Sequence, residues 1–251
     1  MKDPRLYDTI SSGYTSTRRA DPRIARHIHT ALGDAQTIVN VGAGTGNYEP
    51  SDRPLVAVEP SPEMIAKRPE GSAPAIRAEA ENLPFPNRCF DAAMAVLTVH
   101  HWQNWRRGLA EMSRVAPRQV IYLFEPDIIS GFWAMDGGYW PEAFELPSER
   151  DAIGVEEVAS ILDISRVDAI PIPIDCIDGH GAAFWGRPEA YLDPQVQQGM
   201  SWLAQLPPDI LARGSARLAA DLQSGEWDRR HGHLRHLEQL DVGHRLITAH
   251  T

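Results

Sequence analysis

The sequence has 251 residues, a formal net charge of −10 at pH 7 and two cysteines. This length allows one α/β domain with an added segment, and it allows about three quarters of the unfolded chain's surface to be buried. Because contact with nucleic-acid phosphates requires a basic surface, the acidic balance argues against a nucleic-acid partner. Two cysteines are too few for a disulfide framework or a cysteine-rich metal site, so we expect a cytoplasmic protein without a metal.

The sequence predicts neither a membrane-spanning segment nor a leader. No apolar run approaches the roughly 20 residues of a spanning helix. Residues 1–5 lack the apolar core of a signal peptide. We therefore expect no membrane partner.

The first predicted element is helical and lies within residues 5–33. Asp21 followed by Pro22 is typical of a helix start, and Gly33 is typical of a helix end. The apolar positions between them recur at helical spacing: Ile24, Ile28 and Leu32.

A buried strand and a glycine-rich turn follow at residues 37–46, which read TIVNVGAGTG. Glycine has no side chain and permits positive φ, so a ligand can lie directly on the main chain of this turn. The glycines follow the pattern Gly-x-Gly-x-Gly. Dinucleotide-binding turns have Gly-x-Gly-x-x-Gly and place a pyrophosphate at a helix N-terminus. The difference favours S-adenosylmethionine over NAD.

The second strand, residues 55–59, ends in an acid. A carboxylate at the tip of this strand, that of Glu59, can accept hydrogen bonds from two ribose hydroxyls, as in other nucleotide-binding sheets. The alternative is an ordinary solvated Glu at a strand end. Ser61, Pro62 and Glu63 then form a helix start, with Ser61 as the N-cap. Met64 would face the adenine or, equally well, pack in the core.

Further strands are predicted at residues 74–77, 91–97 and 119–125, with a helix over 102–115 between the last two. Strands that alternate with helices indicate an α/β fold with a doubly wound, mostly parallel sheet. Its ligand should lie at the carboxyl ends of the strands.

The C-terminal half is less regular. A short helix is predicted at 155–162, a sixth strand at 167–174, helical segments at 188–236, and a last strand at 240–249 with Val242, Leu246 and Thr248 on one face. Aromatic residues in this half form either an apolar acceptor pocket or the core of a C-terminal cap: Trp133, Trp140, Phe144, Phe184, Trp185 and Trp202.

Three blocks in this order, VGAGTG, VAVEPSPEM and AEAENLPFPNRCFDAAMAVLTVHHW, resemble the class I S-adenosylmethionine-dependent methyltransferases. The most similar subgroup is the small-molecule enzymes of the ubiquinone/menaquinone- and biotin-biosynthesis type. The resemblance covers roughly residues 5–127. It implies a seven-stranded Rossmann-like sheet in the order 3-2-1-4-5-7-6, with the last strand antiparallel.

The resemblance also divides the chain into four parts. Residues 1–36 would be an N-terminal helical lid, and residues 37–187 the S-adenosylmethionine-binding core. Residues 188–236 would be a helical cap inserted before the last strand, and residues 237–251 would carry that strand.

The same resemblance implies the cofactor contacts. Gly42, Ala43 and Gly44 would lie under the methionine half of S-adenosylmethionine, and Glu59 would hold the ribose. The adenine would be contacted by Pro60, Met64, Glu79 and Ala80. The Leu97 carbonyl would face the ammonium group. The sequence departs from the family in two places. Glu79 stands where the family usually has Asp, and the segment between Gly46 and Leu55 has room for little more than a turn where the family has a helix.

Candidates near the methyl acceptor come from three segments. Tyr14 would close one side of the reaction chamber, or else pack against a helix. Arg18 would pair with the methionine carboxylate, or else bridge a surface acid. His100 follows the fourth strand and would act as a general base, or as a structural helix start. Glu125 and Asp127 are similar candidates. His231, His233 and His236 lie among arginines, which favours a solvated helix end over a metal site.

These features predict a methyltransferase that transfers a methyl group to an O, N or C atom of a small, partly apolar metabolite by in-line displacement. The fourth strand is followed by Leu97-Thr98-Val99-His100 and not by Asn-Pro-Pro-Tyr, which argues against methylation of nucleic-acid bases. The alternatives are a protein or RNA methyltransferase and a non-catalytic sensor or scaffold that binds S-adenosylmethionine.

Overall fold

The structure is a computed structural model that describes residues 18–251, so the prediction for Tyr14 lies outside the described residues. The first described helix, α1 (Pro22–Leu32), begins where the sequence predicts. The Asp21 side chain caps it by accepting a hydrogen bond from the Arg23 N–H at 2.9 Å. The helix buries Ile24, Ile28 and Leu32, and it ends at Gly33, which has a φ of 60°.

Replacing Asp21 with Ala should lower the free energy of unfolding by about 2 kcal/mol at pH 7. The Arg23 side chain, which hydrogen-bonds the carboxylate, lowers the pKa of Asp21 from 3.8 to about 2. Since the pKa is lowered on folding, the stabilisation is present above pH 4 and is lost as the pH falls toward 2. Urea denaturation at stepped pH values, with the exposed Asp163→Ala as control, measures this. A difference that stays constant down to pH 3 would contradict the role of Asp21.

The remaining helices and strands follow α1 along the chain. The helices are α2 (Pro62–Ala66), α3 (Trp105–Val115), α4 (Pro126–Ile129), α5 (Pro147–Arg150), α6 (Val155–Ala159), α7 (Pro194–Gly199), α8 (Ser201–Ala204), α9 (Pro208–Ser224) and α10 (Glu226–His231), with 3₁₀ turns at Val99–His101, Pro141–Glu145, Pro188–Leu192 and Gly232–His236. The strands are β1 (Ile38–Val41), β2 (Leu55–Val58), β3 (Ala75–Ile76), β4 (Ala92–Val96), β5 (Arg118–Phe124), β6 (Asp163–Ala169), β7 (Ile172–Pro173), β8 (Gln239–Leu240) and β9 (His244–His250).

Seven of these strands form one sheet, in the order β3-β2-β1-β4-β5-β9-β6. Counted within this sheet, the order is the predicted 3-2-1-4-5-7-6. The pairs from β3 to β5 are parallel, and β9 runs antiparallel to both β5 and β6. The predicted doubly wound, mostly parallel α/β sheet with an antiparallel last strand is therefore confirmed.

The connection from β1 to β2 contains no helix. Residues 42–54 are turns and loop, as the short spacing predicts. The next helix, α2, begins at the predicted N-cap, because the Ser61 hydroxyl accepts a hydrogen bond from the Met64 N–H at 3.3 Å. A long irregular turn therefore follows the carboxyl end of β1, and a capped helix follows that of β2.

The last two strands of the sheet are shifted from their predicted positions. The sixth strand begins at Asp163, four residues before the predicted start, and ends at Ala169. Its side chains are mostly exposed at the edge of the sheet, so no apolar alternation marks it. The last strand begins at His244 and not at 240, since Gly243 adopts a φ of 96° and breaks the extended chain. Val242 is buried but lies outside the strand.

The short strands β7 and β8 pair with each other and bracket residues 174–238. Within that segment lie helices α7 to α10, so the helical pattern at 188–236 is observed. The predicted division of the chain at residues 36, 187 and 236 stays a prediction.

The aromatic residues of the C-terminal half pack together as core. Trp140, Trp185 and Trp227 are fully buried, and Trp133 lies edge-on to Trp227 at 5.4 Å between ring centres. The indole N–H of Trp133 donates to the Trp185 carbonyl, and the indole N–H of Trp185 donates to the Ile172 carbonyl. Of the two interpretations of this set, the core of the C-terminal region is the one that these contacts support.

No helix among the described residues is long and apolar enough to cross a membrane.

Candidate active site

A cavity of about 270 Å³ lies at the carboxyl ends of β1, β2 and β4. Every residue predicted to contact the cofactor lines it except Tyr14, which is outside the described residues: Arg18, Gly42, Ala43, Gly44, Glu59, Pro60, Met64, Glu79, Ala80 and Leu97. The structure thus brings these positions together, at the end of the sheet where parallel α/β proteins bind their ligands.

The glycine turn forms the floor of this cavity. Gly42, Gly44 and Gly46 all have positive φ, at 72°, 53° and 95°. A Cβ placed on Gly42 would lie 2.1 Å from the Thr98 hydroxyl. Neither the backbone conformation nor the space therefore accommodates a side chain at position 42.

The Glu59 carboxylate is tied to this turn. One oxygen accepts a hydrogen bond from the Gly44 N–H at 2.8 Å, and the other accepts from the Ser61 N–H at 2.9 Å. The side chain is buried at the tip of β2 and borders the cavity. Since both oxygens are hydrogen-bonded to the backbone and the side chain is buried, Glu59 is not the solvated strand-end Glu of the alternative prediction.

On the next wall, Met64 and Ala80 are buried and Glu79 is exposed at the rim. Met64 both packs in the interior and borders the cavity, so its two predicted roles are compatible. The neighbouring Glu81 also lines the cavity, and its carboxylate accepts from the Asn104 N–H at 2.8 Å. That contact fixes the N-terminal end of α3 against this wall.

Two non-glycine residues at the cavity have positive φ, Tyr48 at 67° and Leu97 at 50°. Non-glycine residues adopt this conformation rarely, and in folded proteins it concentrates at functional sites. Leu97 lies directly after β4, where its N–H donates to the Tyr122 carbonyl at 2.7 Å. This conformation places residue 97 at the edge of the cavity.

A buried ion pair supports the glycine turn from outside. The Arg68 guanidinium contacts the Glu49 carboxylate at 2.7 Å, with 5% and 9% of the two side chains exposed. The other Glu49 oxygen accepts from the Asn40 side-chain N–H at 2.9 Å, and Arg68 reaches the carbonyls of Gly44 and Ala73. This group, which we call the Glu49–Arg68 clamp, holds the segment where the family usually has a helix.

Arg18 lines the cavity and also pairs with an acid that the sequence analysis did not identify. Its guanidinium lies 2.6 Å from the Asp178 carboxylate, which is fully buried and also accepts from the Tyr48 hydroxyl at 2.7 Å. Burial followed by the nearby Asp178 charge raises the pKa of Tyr48. The predicted contact between Arg18 and the methionine carboxylate stays a prediction.

A second compartment of about 40 Å³ adjoins the first beyond Leu97. The two share Arg18, Leu97 and His101 in their walls. His100 is buried in the wall of the second compartment only, with its ring 4.9 Å from that of Phe124. The structure therefore places the predicted base next to the cofactor cavity and not within it.

Three ionisable groups of the second compartment were missed by sequence reasoning: Glu149, His180 and His244. Burial raises the pKa of Glu149 to about 7, and it lowers the pKa of His180 to about 3 and that of His244 well below its usual value. They lie on α5, on the segment after β7 and at the start of β9. No local spacing in the sequence connects these three positions.

The other candidates lie elsewhere. The Glu125 carboxylate accepts from the Val155 N–H at 2.7 Å and so fixes the start of α6, and Asp127 is exposed. Arg235 pairs with Asp228 and Glu189 beside His236. Within residues 18–251 no group of three or more potential ligand side chains is arranged to hold a metal ion.

The geometry of the cavity fits S-adenosylmethionine. The uncovered main chain at Gly42 and Gly44 suits a charged methionine half, and the acid at the tip of β2 suits a ribose diol. The buried apolar side chains of Met64 and Ala80 suit a flat base.

Comparisons with known proteins agree with this fit. Residues 39–124 match the family model described as a methyltransferase domain. A solved structure from Anabaena variabilis, described as a candidate methyltransferase from an antibiotic biosynthesis pathway, is 29% identical, with a TM-score of 0.85 over 94% of this chain and 99% of that one.

Two curated relatives match a shorter part. A demethylmenaquinone methyltransferase of Corynebacterium urealyticum is 29% identical over 52% of this chain and 65% of its own length. A tRNA (carboxymethyluridine(34)-5-O)-methyltransferase of Xenopus tropicalis is 25% identical over 54% of this chain and 21% of its own. The chain spans less than two thirds of the length of the curated relatives it matches. The domain match over residues 39–124, the sheet order and the likeness to a solved structure over nearly the whole chain support the resemblance to the class I S-adenosylmethionine-dependent methyltransferases, whose cofactor is S-adenosylmethionine.

Proposed function

We propose that this protein transfers a methyl group from S-adenosylmethionine to a small, partly apolar molecule. The observation that carries the proposal is the arrangement of the two cavities. The glycine turn and Glu59 line the larger one, and the second compartment shares Arg18, Leu97 and His101 with its wall. The acceptor would enter beside the methionine half of the cofactor.

Segments of the C-terminal half contribute to the wall of this site and favour a small acceptor. Ser148 near the start of α5 and Gln205 after α8 line the larger cavity together with the turn that follows β1. We propose that residues 188–236 act with the segment around α5 as a cap over the cofactor. A cap of this kind leaves little room for a macromolecule, which favours a small molecule over an RNA or protein substrate.

For this reaction the protein mainly needs to bind the cofactor and to orient the acceptor. The sulfonium of the cofactor supplies an electrophilic methyl carbon, so the residues need to hold an acceptor in line with it and exclude water. In this scheme Gly42, Gly44 and Glu59 fix the cofactor, and the wall at Leu97 fixes the direction of approach. Both cysteines are unpaired, which agrees with work in the reducing cytoplasm.

Calorimetric titration with S-adenosylhomocysteine tests the cofactor part of this proposal. We expect binding by the wild-type protein, and a 10- to 100-fold weaker affinity in Glu59→Ala, because the variant loses hydrogen bonds to a charged acceptor. The exposed Glu70→Ala is the matched control and should bind like the wild type. If Glu59→Ala binds as tightly as the control, the carboxylate does not hold the ribose.

A methyl-transfer assay with the wild-type protein distinguishes an enzyme from a non-catalytic sensor. Incubation with labelled S-adenosylmethionine and a panel of small acceptors should transfer label to one class of them. Tight cofactor binding with no transfer to small molecules, RNA or protein would favour the non-catalytic alternative. Transfer to RNA alone would contradict the small-molecule proposal.

A further inference from the structure

Besides Arg18, ionisable side chains from four separate segments line the second compartment. His100 comes from the 3₁₀ turn after β4, and Glu149 comes from α5. His180 follows β7, and His244 begins β9. A compartment of this kind beside a cofactor site needs a chemical explanation, because two of the four groups, His180 and His244, have buried nitrogen atoms without a partner among the described residues, which is unfavourable.

The two most buried histidines have unpartnered atoms. The rings of His180 and His244 lie 4.4 Å apart between centres, and the Nδ1 atoms of both are buried without a hydrogen-bond partner in the described part of the chain. Since burial lowers the pKa of both, each ring is neutral near pH 7 and has one donor and one acceptor nitrogen. A hydroxyl group, which also donates and accepts, complements such a pair.

Glu149 stands between the two cavities. Its neighbours Pro147 and Ser148 line the cofactor cavity, whereas Glu149 itself lines the second compartment. The Ser148 hydroxyl donates to one Glu149 oxygen at 3.2 Å. Because burial raises the pKa of this carboxyl to about 7, it can take up a proton and release it near neutral pH.

The remaining walls are apolar. Phe124, Ile129, Met135 and Trp202 surround the polar groups. A volume of about 40 Å³ has room for about three water-sized groups, which suits the polar end of a small molecule. The compartment therefore selects one functional group on an apolar body.

We propose that the second compartment receives the hydroxyl group of a phenol-like acceptor, that His180 and His244 hold its oxygen, and that Glu149 removes its proton during methyl transfer. This proposal rests on the proposed function. The acceptor oxygen forms a bond to the methyl carbon as the carbon–sulfur bond breaks and its electron pair stays on sulfur. The hydroxyl proton passes to the Glu149 carboxylate, so the total charge is unchanged.

An amine or a carboxylate fits less well. A protonated amine would lie beside the Arg18 guanidinium and would have to lose its proton before it could attack. A carboxylate would lie beside Glu149. A neutral hydroxyl avoids both conflicts, and deprotonation activates it.

The charged environment of Glu149 is defined by the elements around it. The 3₁₀ turn Val99–His101 and the turn Pro141–Glu145 pack against α5. The titratable and charged groups in the compartment wall, on α5 and its C-cap, and on these two turns are Arg18, His100, His101, Glu142, Glu145, Arg150, Asp151, His180 and His244.

Three probes of equal ring size test the class of acceptor. The complex with S-adenosylhomocysteine is titrated by calorimetry with phenol, benzylamine and benzoate. We expect phenol to bind at least 10-fold more tightly than the other two. His180→Phe and His244→Phe should each weaken phenol binding about 10-fold, whereas the exposed His250→Phe should not.

The role of Glu149 is tested separately from binding. Glu149→Gln should keep its affinity for S-adenosylhomocysteine and phenol, slow a single turnover of methyl transfer to phenol about 100-fold, and remove the rise in rate near pH 7. The infrared band of a protonated carboxyl that titrates near pH 7 should disappear in this variant. The exposed Glu70→Gln is the control for all three readouts.

The outcomes separate the two proposals. Failure of the intact protein to bind S-adenosylhomocysteine overturns the proposed function. Binding of S-adenosylhomocysteine with no preference for phenol overturns the assignment of the acceptor and leaves the proposed function standing. An unchanged pH profile and infrared band in Glu149→Gln overturn the role of Glu149 as the base.

Discussion

Replacing Gly42 with alanine is expected to weaken the binding of S-adenosylhomocysteine about 100-fold. A residue with a Cβ at a φ of 72° is strained by roughly 1–2 kcal/mol. The new methyl group would also overlap the Thr98 side chain, with its hydroxyl at 2.1 Å, and relief of such an overlap costs about 1–3 kcal/mol. The strained turn therefore relaxes to another conformation that does not bind the cofactor, and each 1.4 kcal/mol in favour of that conformation reduces the apparent affinity about tenfold.

A matched control isolates the effect of the cavity from that of the backbone. Gly225 has nearly the same φ, 74°, and a Cβ there would meet nothing within 4 Å. Gly225→Ala should therefore lower the melting temperature slightly and leave cofactor affinity unchanged. In the double variant Gly42→Ala with Thr98→Ala, part of the overlap is relieved and part of the affinity should return. Calorimetry and thermal unfolding on the four proteins measure both effects, and wild-type affinity in Gly42→Ala would show that the cofactor does not lie on this turn.

The sequence predicts those parts of the site whose positions follow from the spacing of nearby residues along the chain. The three glycines follow a strand directly, and Glu59 ends the next one, so strand order alone brings them to one edge of the sheet. Ser61 precedes a proline and an acid and caps α2 as predicted. Each of these positions depends only on residues within a few places along the chain.

The second compartment shows what local spacing cannot give. Glu149, His180 and His244 are separated by 31 and 64 positions along the chain, and they lie on a one-turn helix, an irregular segment and a strand. The Arg18–Asp178 pair joins residues 160 positions apart. The long-range packing of the C-terminal half decides such contacts, and no spacing rule encodes them.

The shifts in β6 and β9 have a similar cause. β6 is an edge strand with mostly exposed side chains, so burial imposes no alternation on its sequence. The apolar residues 170–174 resemble its continuation, but the chain leaves the sheet there and forms the separate β7. At β9, the position of Gly243 sets the start of the strand more strongly than the apolar pattern does.

Breaking the Glu49–Arg68 clamp is expected to lower both stability and cofactor affinity. Glu49→Gln leaves the Arg68 guanidinium buried without its counter-charge, and loss of one partner of a buried pair costs about 3–5 kcal/mol. The turn should also lose its support, because Arg68 contacts the Gly44 carbonyl and Glu49 contacts Asn40. Urea denaturation and titration with S-adenosylhomocysteine report the two effects independently.

A double variant and a surface pair show whether the clamp positions the turn or only stabilises the fold. In Glu49→Gln with Arg68→Met no buried charge is left uncompensated, so most of the stability should return. Cofactor affinity should stay low, since the Gly44 carbonyl has lost its contact with Arg68. Asp151→Asn breaks the exposed pair with Arg150 and should change stability by less than about 1 kcal/mol. Should the double variant regain wild-type affinity together with its stability, the clamp would act on folding alone, and the loop that replaces the family's helix would hold the cofactor turn without it.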